Sequence, residues 1–321
     1  MRINPVHFRR TIARFALAVA CAALGSSAPL LAESVEGSVR NGTTNQPAAG
    51  VPVQFIKLQQ GMTPVAETIT DARGAFRFDE VEKLTGGSPA LLQAVYQGAT
   101  YSQPLLAPQT MAGGVQLVVY DATRDRGALA LKEHAIFLRP AGGRLAVIEQ
   151  IAIENNSNPP RTYVNPEGTY LYHLPGEPRE AVQASVEGAA GMAVPQSPVP
   201  LAGANNFAIT YPIRPGESQV RLQYALDYES PFRFTKRLTQ PAEQTHIVTP
   251  GTGVEVRGEA LTFLGKEPTT GFAAYLVAPG TGEISLQISG EAPATQTPSQ
   301  SANTAESRGL VTIPDGATDR R

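Results

Sequence analysis

The stretch TDARGAFRF, Thr70–Phe78, places a turn between two short runs in which apolar and polar residues alternate. Asp71 can accept hydrogen bonds from the turn backbone, and Gly74 tolerates a positive φ. Phe76 and Phe78 are two residues apart and therefore point to the same side of a strand. The stretch predicts a β-hairpin whose aromatic rings enter one core.

The same alternation recurs along the chain, most clearly in QVRLQYALDY, residues 219–228. No long window between residues 33 and 290 has apolar residues at helical spacing, and Gly and Pro recur often enough to end a helix. Further alternating runs are VEGSVR, VPVQF, VQLVVYD, RLAVIEQIAIEN, NFAITYPI and EISLQIS. Many short strands without crossover helices predict an all-β protein built from two antiparallel β-sandwich domains in tandem.

Composition places the domain boundaries. The charged segment DATRDRGAL, residues 121–129, follows the apolar run VQLVVY, which predicts a junction near Arg124. We therefore expect a first sandwich at residues 33–123 and a second at 124–290. Residues 291–321 lack aromatic side chains and are rich in Pro, Ser, Thr and Ala, which predicts a disordered tail.

The first 32 residues have the order of a secretory signal peptide. Four arginines and no acidic residue precede the apolar run FALAVACAAL, and small residues follow it. Cleavage after Ala32 fits best, and a periplasmic, surface or secreted location follows from export. The alternative makes Cys21 a lipid-modified first residue, because AVAC loosely resembles a lipobox.

Export changes the charge and the cysteine count. Residues 1–32 contain four of the 26 basic residues and none of the 28 acidic ones, which leaves 22 against 28 and a net charge of −6. Nucleic acid is therefore excluded as a partner class. The only cysteine is also removed, so disulfides and thiolate metal sites are excluded. No later segment approaches the length of a transmembrane helix.

The residues of the first sandwich resemble a known family. Gly37-x-Val39, Pro47 with Gly50-Val51-x-Val53, and Thr70-Asp71 with Gly74-x-Phe76-x-Phe78 are similar to the carboxypeptidase regulatory-like domain, a transthyretin-like module of seven strands. The resemblance covers residues 34–122 and implies an accessory or structural module without catalytic residues. It does not extend into the second sandwich.

Motifs that carry chemistry are scarce. The three histidines left after cleavage, His134, His173 and His246, lack the spacing of a structural zinc site, and no nucleophile elbow is present. Asp121 and Asp125 supply too few oxygens for calcium by themselves. We expect no catalytic residue, no metal and no cofactor.

One carboxylate does not fit its strand. Glu149 is in phase with the apolar residues of RLAVIEQIAIEN and would point inward, where a carboxylate is costly unless it is paired. We prefer a strand twist or bulge that releases Glu149 to the sheet edge. The alternative is an exported hydrolase with a site assembled from Glu149, His134 and His173.

The sequence leads to a non-catalytic exported protein that binds or scaffolds another envelope protein or surface component, with strand addition at a free sheet edge as one mode. A second alternative is a carbohydrate-binding module with a platform of tyrosine rings. The candidate ligand-binding residues for that platform are Tyr96, Tyr101, Tyr170 and Tyr172. These rings would have to be exposed and coplanar.

Overall fold

The computed structural model describes residues 34–59, 61–79, 88–105, 114–188 and 191–293. These residues form 23 β-strands and one turn of 3₁₀ helix, Arg126–Ala128, with no α-helix among them. The predicted all-β class is confirmed. The predicted signal peptide at 1–32 lies outside the described residues, and so does the predicted tail from residue 294 onward.

The first seven strands form two facing sheets. Their bounds are β1 Val35–Asn41, β2 Pro52–Leu58, β3 Met62–Ile69, β4 Ala75–Phe78, β5 Ala90–Tyr96, β6 Ala99–Leu105 and β7 Val115–Val119. One sheet has the order β3-β2-β5-β6 and the other β4-β1-β7, in which β1 and β7 are parallel. Alternate side chains of both sheets fill one core, which includes Val39, Val53, Phe55 and Phe78.

The stretch Thr70–Phe78 forms the expected turn but not a hairpin. Asp71 Oδ1 accepts hydrogen bonds from the backbone N–H groups of Arg73 and Ala75, both at 2.8 Å, and Gly74 has a φ of 74°. However, β3 pairs with β2 and β4 pairs with β1, so the chain passes here from one sheet to the other. Likewise β1 and β2, which follow each other in the sequence, lie in different sheets. Local alternation identifies a strand, but it does not identify the neighbour with which that strand pairs.

A short parallel pair connects the two halves of the chain. Strand β8, Ala122–Thr123, pairs with β11, Thr162–Tyr163. Tyr101 of β6 and Thr162 are both buried, and their hydroxyl oxygens lie 2.7 Å apart. The Arg214 guanidinium lies over the Tyr101 ring, 5.0 Å from its centroid.

The remaining strands form one large sheet and two small ones. The eight-stranded sheet has the order β14-β13-β17-β10-β9-β19-β22-β21. Its strands are β9 Leu129–Ala141, β10 Arg144–Asn155, β13 Gln183–Glu187, β14 Ala193–Gln196, β17 Gly216–Asp227, β19 Gln244–Pro250, β21 Leu261–Lys266 and β22 Phe272–Val277. The pairing of β9 with β19 is parallel. The long antiparallel strands β9, β10 and β17 form the centre of this sheet.

The two small sheets share a core with the large one. Their strands are β12 Tyr170–His173, β15 Val199–Pro200, β16 Asn206–Ile209, β18 Phe232–Arg237, β20 Val254–Arg257 and β23 Glu283–Gly290. The orders are β12-β16-β15 and β18-β23-β20. Inward residues such as Phe234, Ile284, Leu286 and Ile288 pack with Val147 and Ile151 of the large sheet. No helix among the described residues is long and apolar enough to cross a bilayer.

Candidate functional site: a buried carboxylate cluster in the second sandwich

Glu149 lies at the middle of β10 and has no exposed surface. The residues in phase with it on the same strand are equally buried: Leu145, Val147, Ile151 and Ile153. Pairing of β10 with β9 and β17 is regular through Glu149, and the register shift occurs only between Ala152 and Ile153. The preferred interpretation, a bulge that releases Glu149 to the edge, is therefore wrong.

Three side chains from three other strands contact the Glu149 carboxylate. Lys236 of β18 places Nζ 2.7 Å from Oε1, and the Tyr224 hydroxyl of β17 donates to the same oxygen at 2.7 Å. His134 of β9 places Nε2 2.8 Å from Oε2. Lys236 Nζ also donates to the backbone carbonyl of His173 on β12 at 2.6 Å. The cluster therefore connects the large sheet to both small sheets.

Sheet register explains how Tyr224 and His134 reach the carboxylate. The direct neighbours of Glu149 are Leu222 on β17 and Ile136 on β9. Tyr224 and His134 are each two residues from those neighbours, so their side chains point to the same face of the sheet as Glu149. Tyr224 and His134 occupy diagonal positions on opposite sides of Glu149, and at this spacing long side chains can touch.

The charges in the cluster determine its protonation. Burial raises the pKa of Glu149, but the charge of Lys236 and the hydrogen bond and charge of His134 outweigh it and lower the pKa to about 2. Burial, together with the nearby carboxylate, raises the pKa of Tyr224 well above its ordinary value. At neutral pH, therefore, the carboxylate is ionised and the phenol is protonated.

Aromatic rings surround the polar atoms. Tyr170 and Tyr172 stack at 6.3 Å between centroids, and Tyr172 stacks on Phe207 at 5.6 Å. Both tyrosines are at most 3% exposed. Within the described structure the Tyr172 hydroxyl and His173 Nδ1 are buried without a hydrogen-bond partner. Burial lowers the pKa of His173, and the charges of Arg237 and Lys236 add to this effect.

The structure brings only part of the proposed hydrolase site together. His134 and Glu149 are in contact, but both are buried, and His173 contributes its backbone carbonyl rather than its ring. The described surface cavities are lined by residues other than these three, and Tyr224 lines one of them. The side chains of His134, Glu149 and Lys236 are at most 4% exposed.

The tyrosines proposed for glycan binding do not form an exposed platform. Tyr101, Tyr170 and Tyr172 are buried, and Tyr96 is partly buried with its hydroxyl donating to Asp121 Oδ1 at 3.1 Å. Tyr96 and Tyr101 lie at the junction of the two halves, whereas Tyr170 and Tyr172 lie in the second core. The exposed, coplanar arrangement that the hypothesis requires is absent for these four rings.

Asp121 and Asp125, which we considered as calcium ligands, accept hydrogen bonds from other groups of the fold. Asp121 Oδ1 accepts from Asn41 Nδ2 at 2.7 Å, and Asp125 Oδ1 accepts from the Gly127 N–H at the start of the 3₁₀ turn at 2.9 Å. Among the described residues no group of three or more His, Cys, Asp and Glu side chains could hold a metal ion.

Sequence reasoning missed Lys236, although a signal was present. In FRFTKR, residues 232–237, Lys236 is in phase with Phe232 and Phe234, so the alternation puts it on the apolar face. A buried lysine and a buried glutamate compensate each other only when they meet in space. That contact lies across 87 residues of sequence, from position 149 to 236.

The outer face of the small sheet β18-β23-β20 carries a second feature, an open groove of about 920 Å³. Its polar lining residues are Arg233, Arg257, Glu259, Glu283, Ser285 and Gln287, and Pro231, Phe232, Gly258, Ala260 and Leu286 complete the lining. Strand β18 therefore directs Lys236 into the core and Arg233 into the groove. The groove contains both signs of charge and uncharged hydrogen-bonding groups.

Comparison with known proteins gives no assignment. No family model and no curated protein matches the chain. Among solved structures, a two-domain M1 zinc metallopeptidase bound to L-tryptophan is similar at 14% identity, and an M1 zinc metallopeptidase from Deinococcus radiodurans at 15%. In each case the similarity covers 50% of this chain at a TM-score of 0.28. It covers 43% and 42% of those structures, so the chain spans about two fifths of their length. Similarity this weak does not assign the chain to that family.

Proposed function

We propose that this chain is a non-catalytic exported protein that binds or scaffolds another protein of the cell envelope, through the groove on β18-β23-β20. The observation that carries the proposal is the contrast between the two polar sites of the second sandwich. The cluster around Glu149 is sealed in the core, whereas the groove is open to solvent.

Export rests on the sequence. The order of basic, apolar and small residues in positions 1–32 supports a signal peptide, and a mature chain without cysteine suits an oxidising compartment. We also propose that the first sandwich is a carboxypeptidase regulatory-like module. Its seven strands in sheets of four and three support that assignment.

The chemistry of the groove favours a polypeptide partner. Arg233 and Arg257 can bind carboxylates or carbonyls, Glu259 and Glu283 can bind cations, and Ser285 and Gln287 can do either. Mixed polar lining of this kind is typical of the polar parts of protein interfaces. No tyrosine lines the groove, which is unfavourable for the glycan alternative.

Prolines make strand addition unfavourable at four of the described sheet edges. Pro64 in β3, Pro104 in β6, Pro195 in β14 and Pro200 in β15 each remove a backbone donor from a described edge strand. Strand β20, Val254–Arg257, contains no proline, has one sheet neighbour in the described structure and borders the groove. We propose that an extended segment of the partner lies along β20 with side chains in the groove.

Site-specific photo-crosslinking in cells tests this function. A photoreactive amino acid replaces Gln287 in the groove, and as a matched control it replaces the exposed Gln116 on β7 of the first sandwich. We expect a defined adduct with an envelope protein from position 287 only. The double variant Arg233→Glu/Arg257→Glu should abolish the adduct. The proposal fails if position 287 gives no adduct, or if both positions give the same adducts.

A further inference from the structure

The contact between Lys236 and Glu149 places an amine and a carboxyl group together where water is excluded. The two side chains are 2% and 0% exposed, and Nζ and Oε1 lie 2.7 Å apart. We propose that these side chains condense to an amide, so that the second sandwich carries an internal Lys236–Glu149 isopeptide cross-link. The cross-link would join β18 of a small sheet to β10 of the large sheet, and it is independent of what the groove binds.

Position and burial favour the reaction. Holding two reactants in contact in a rigid core replaces a bimolecular encounter with an intramolecular step, which raises the rate by orders of magnitude. The uncharged amine is the nucleophilic form of lysine. Exclusion of water favours condensation over hydrolysis. Both groups are on strands whose inward neighbours, such as Val147, Ile151 and Phe234, belong to one packed core.

The atoms of the ion pair suffice for the step. Transfer of one proton from Nζ to the carboxylate gives an amine and a carboxylic acid. The Nζ lone pair then attacks Glu149 Cδ and forms the C–N bond, and the Tyr224 hydroxyl stabilises the negative charge that develops on Oε1. The Cδ–Oε2 bond breaks, and His134 Nε2, 2.8 Å from Oε2, is positioned to protonate the departing oxygen.

The proton count closes within the cluster. Nζ starts with three protons and the amide nitrogen keeps one, so the other two leave with Oε2 as water. The second proton lost by Nζ replaces the proton that His134 gives to Oε2, so His134 ends in the protonation state in which it began. No oxidant, reductant or further reactant is required.

The product would keep the hydrogen bonds of the cluster. The remaining amide N–H can donate to the His173 carbonyl, which now accepts from Nζ at 2.6 Å. The amide carbonyl oxygen can accept from Tyr224, as Oε1 does in the ion pair. Two buried charges disappear, which removes the cost of their desolvation.

Mass spectrometry of the purified full-length mature protein under denaturing conditions tests the proposal. We expect an intact mass lower by one water molecule than the sequence requires. Trypsin should release a branched peptide that joins residues 145–161 to residues 234–237, because the modified Lys236 is no longer a cleavage site. The linear peptides that contain Glu149 and Lys236 should be lost.

Variants separate the proposed chemistry from packing. Lys236→Arg keeps the positive charge but is not a nucleophile at neutral pH, so the intact mass should equal the sequence mass. Tyr224→Phe removes the donor to Oε1 and should slow formation of the branched peptide in pulse-labelled cells. Tyr228→Phe is the matched control on the same stretch, because its hydroxyl donates to the Gly290 carbonyl and not to Glu149.

The peptides of the wild-type protein are sufficient to test whether the cross-link forms. Linear peptides containing an unmodified Glu149 and an unmodified Lys236 at full yield would overturn the proposal. A water loss that maps to another position, such as Asp315–Gly316 in the C-terminal segment, would also overturn it.

Discussion

Glu149 of β10 and Lys236 of β18 form a buried contact of 2.7 Å that connects the two layers of the second sandwich. The contact lies among the tyrosines of the core and receives support from β9, β12 and β17. Stability of this sandwich should therefore depend on these two residues more than on any surface ion pair.

Replacing Lys236 by Met should destabilise the protein strongly. The variant leaves the Glu149 carboxylate buried without its cation, and loss of one partner of a buried pair costs about 3–5 kcal/mol. Urea unfolding followed by circular dichroism measures the change. The control is Lys132→Met, because Lys132 has a side-chain exposure of 42% and pairs with Glu243 at the surface. Surface pairs contribute about 0–1 kcal/mol. Equal effects of the two substitutions would contradict the structural role of the buried contact.

Gly37→Ala should disrupt the first sandwich. A Cβ at position 37 would lie 2.3 Å from the Val115 carbonyl oxygen and 2.4 Å from Phe76 Cζ. Strand β1 would have to move away from β7, and overpacking of this kind typically costs about 1–3 kcal/mol. Gly282→Ala is the control, because an added Cβ meets no atom within 4 Å there. The prediction is wrong if thermal unfolding gives the same midpoint for both variants.

Tyr101→Phe should weaken the junction between the two halves. The hydroxyl contacts Thr162 Oγ1 at 2.7 Å and accepts from the Tyr120 N–H at 3.2 Å. Leaving these buried groups unsatisfied costs about 1–3 kcal/mol. We expect faster proteolysis between residues 121 and 129 and a lower unfolding midpoint. Tyr120→Phe is the control, since no hydrogen bond of its hydroxyl occurs among the described contacts. Unchanged proteolysis of Tyr101→Phe would exclude a role of this hydroxyl at the junction.

Glu267 should titrate in acid well below an ordinary glutamate. Hydrogen bonds from Thr270 and from the Thr269 N–H lower the pKa of Glu267 from 4.5 to about 2. Because the folded pKa is depressed, the carboxylate stabilises the turn between β21 and β22 above pH 4.5. This contribution is lost as the pH falls toward 2. An NMR titration of the Glu267 side chain measures the midpoint, with a peptide of residues 263–274 as the unfolded control. Identical midpoints in protein and peptide would contradict the prediction.

Some of the fold could be predicted because side-chain alternation is a local property. The run RLAVIEQIAIEN coincides with β10, Arg144–Asn155, and AFRF coincides with β4, Ala75–Phe78. Strand pairing could not be predicted in the same way. The turn at Asp71 and Gly74 was recognised, but a turn residue does not state whether the next strand joins the same sheet or the opposite one.

The all-β class, the positions of many strands and the inward phase of Glu149 follow from the amino-acid sequence, because each depends on residues a few positions apart. The identity of the side chains that meet Glu149 depends on the three-dimensional packing. Lys236 and Tyr224 lie 87 and 75 residues from Glu149 in the sequence, whereas His134 is on the preceding strand at a separation of 15. Sheet register and the packing of the two layers bring all three to one carboxylate. Burying a charge is costly, so the chain can place Glu149 inside only where the fold supplies a cation and hydrogen-bond donors.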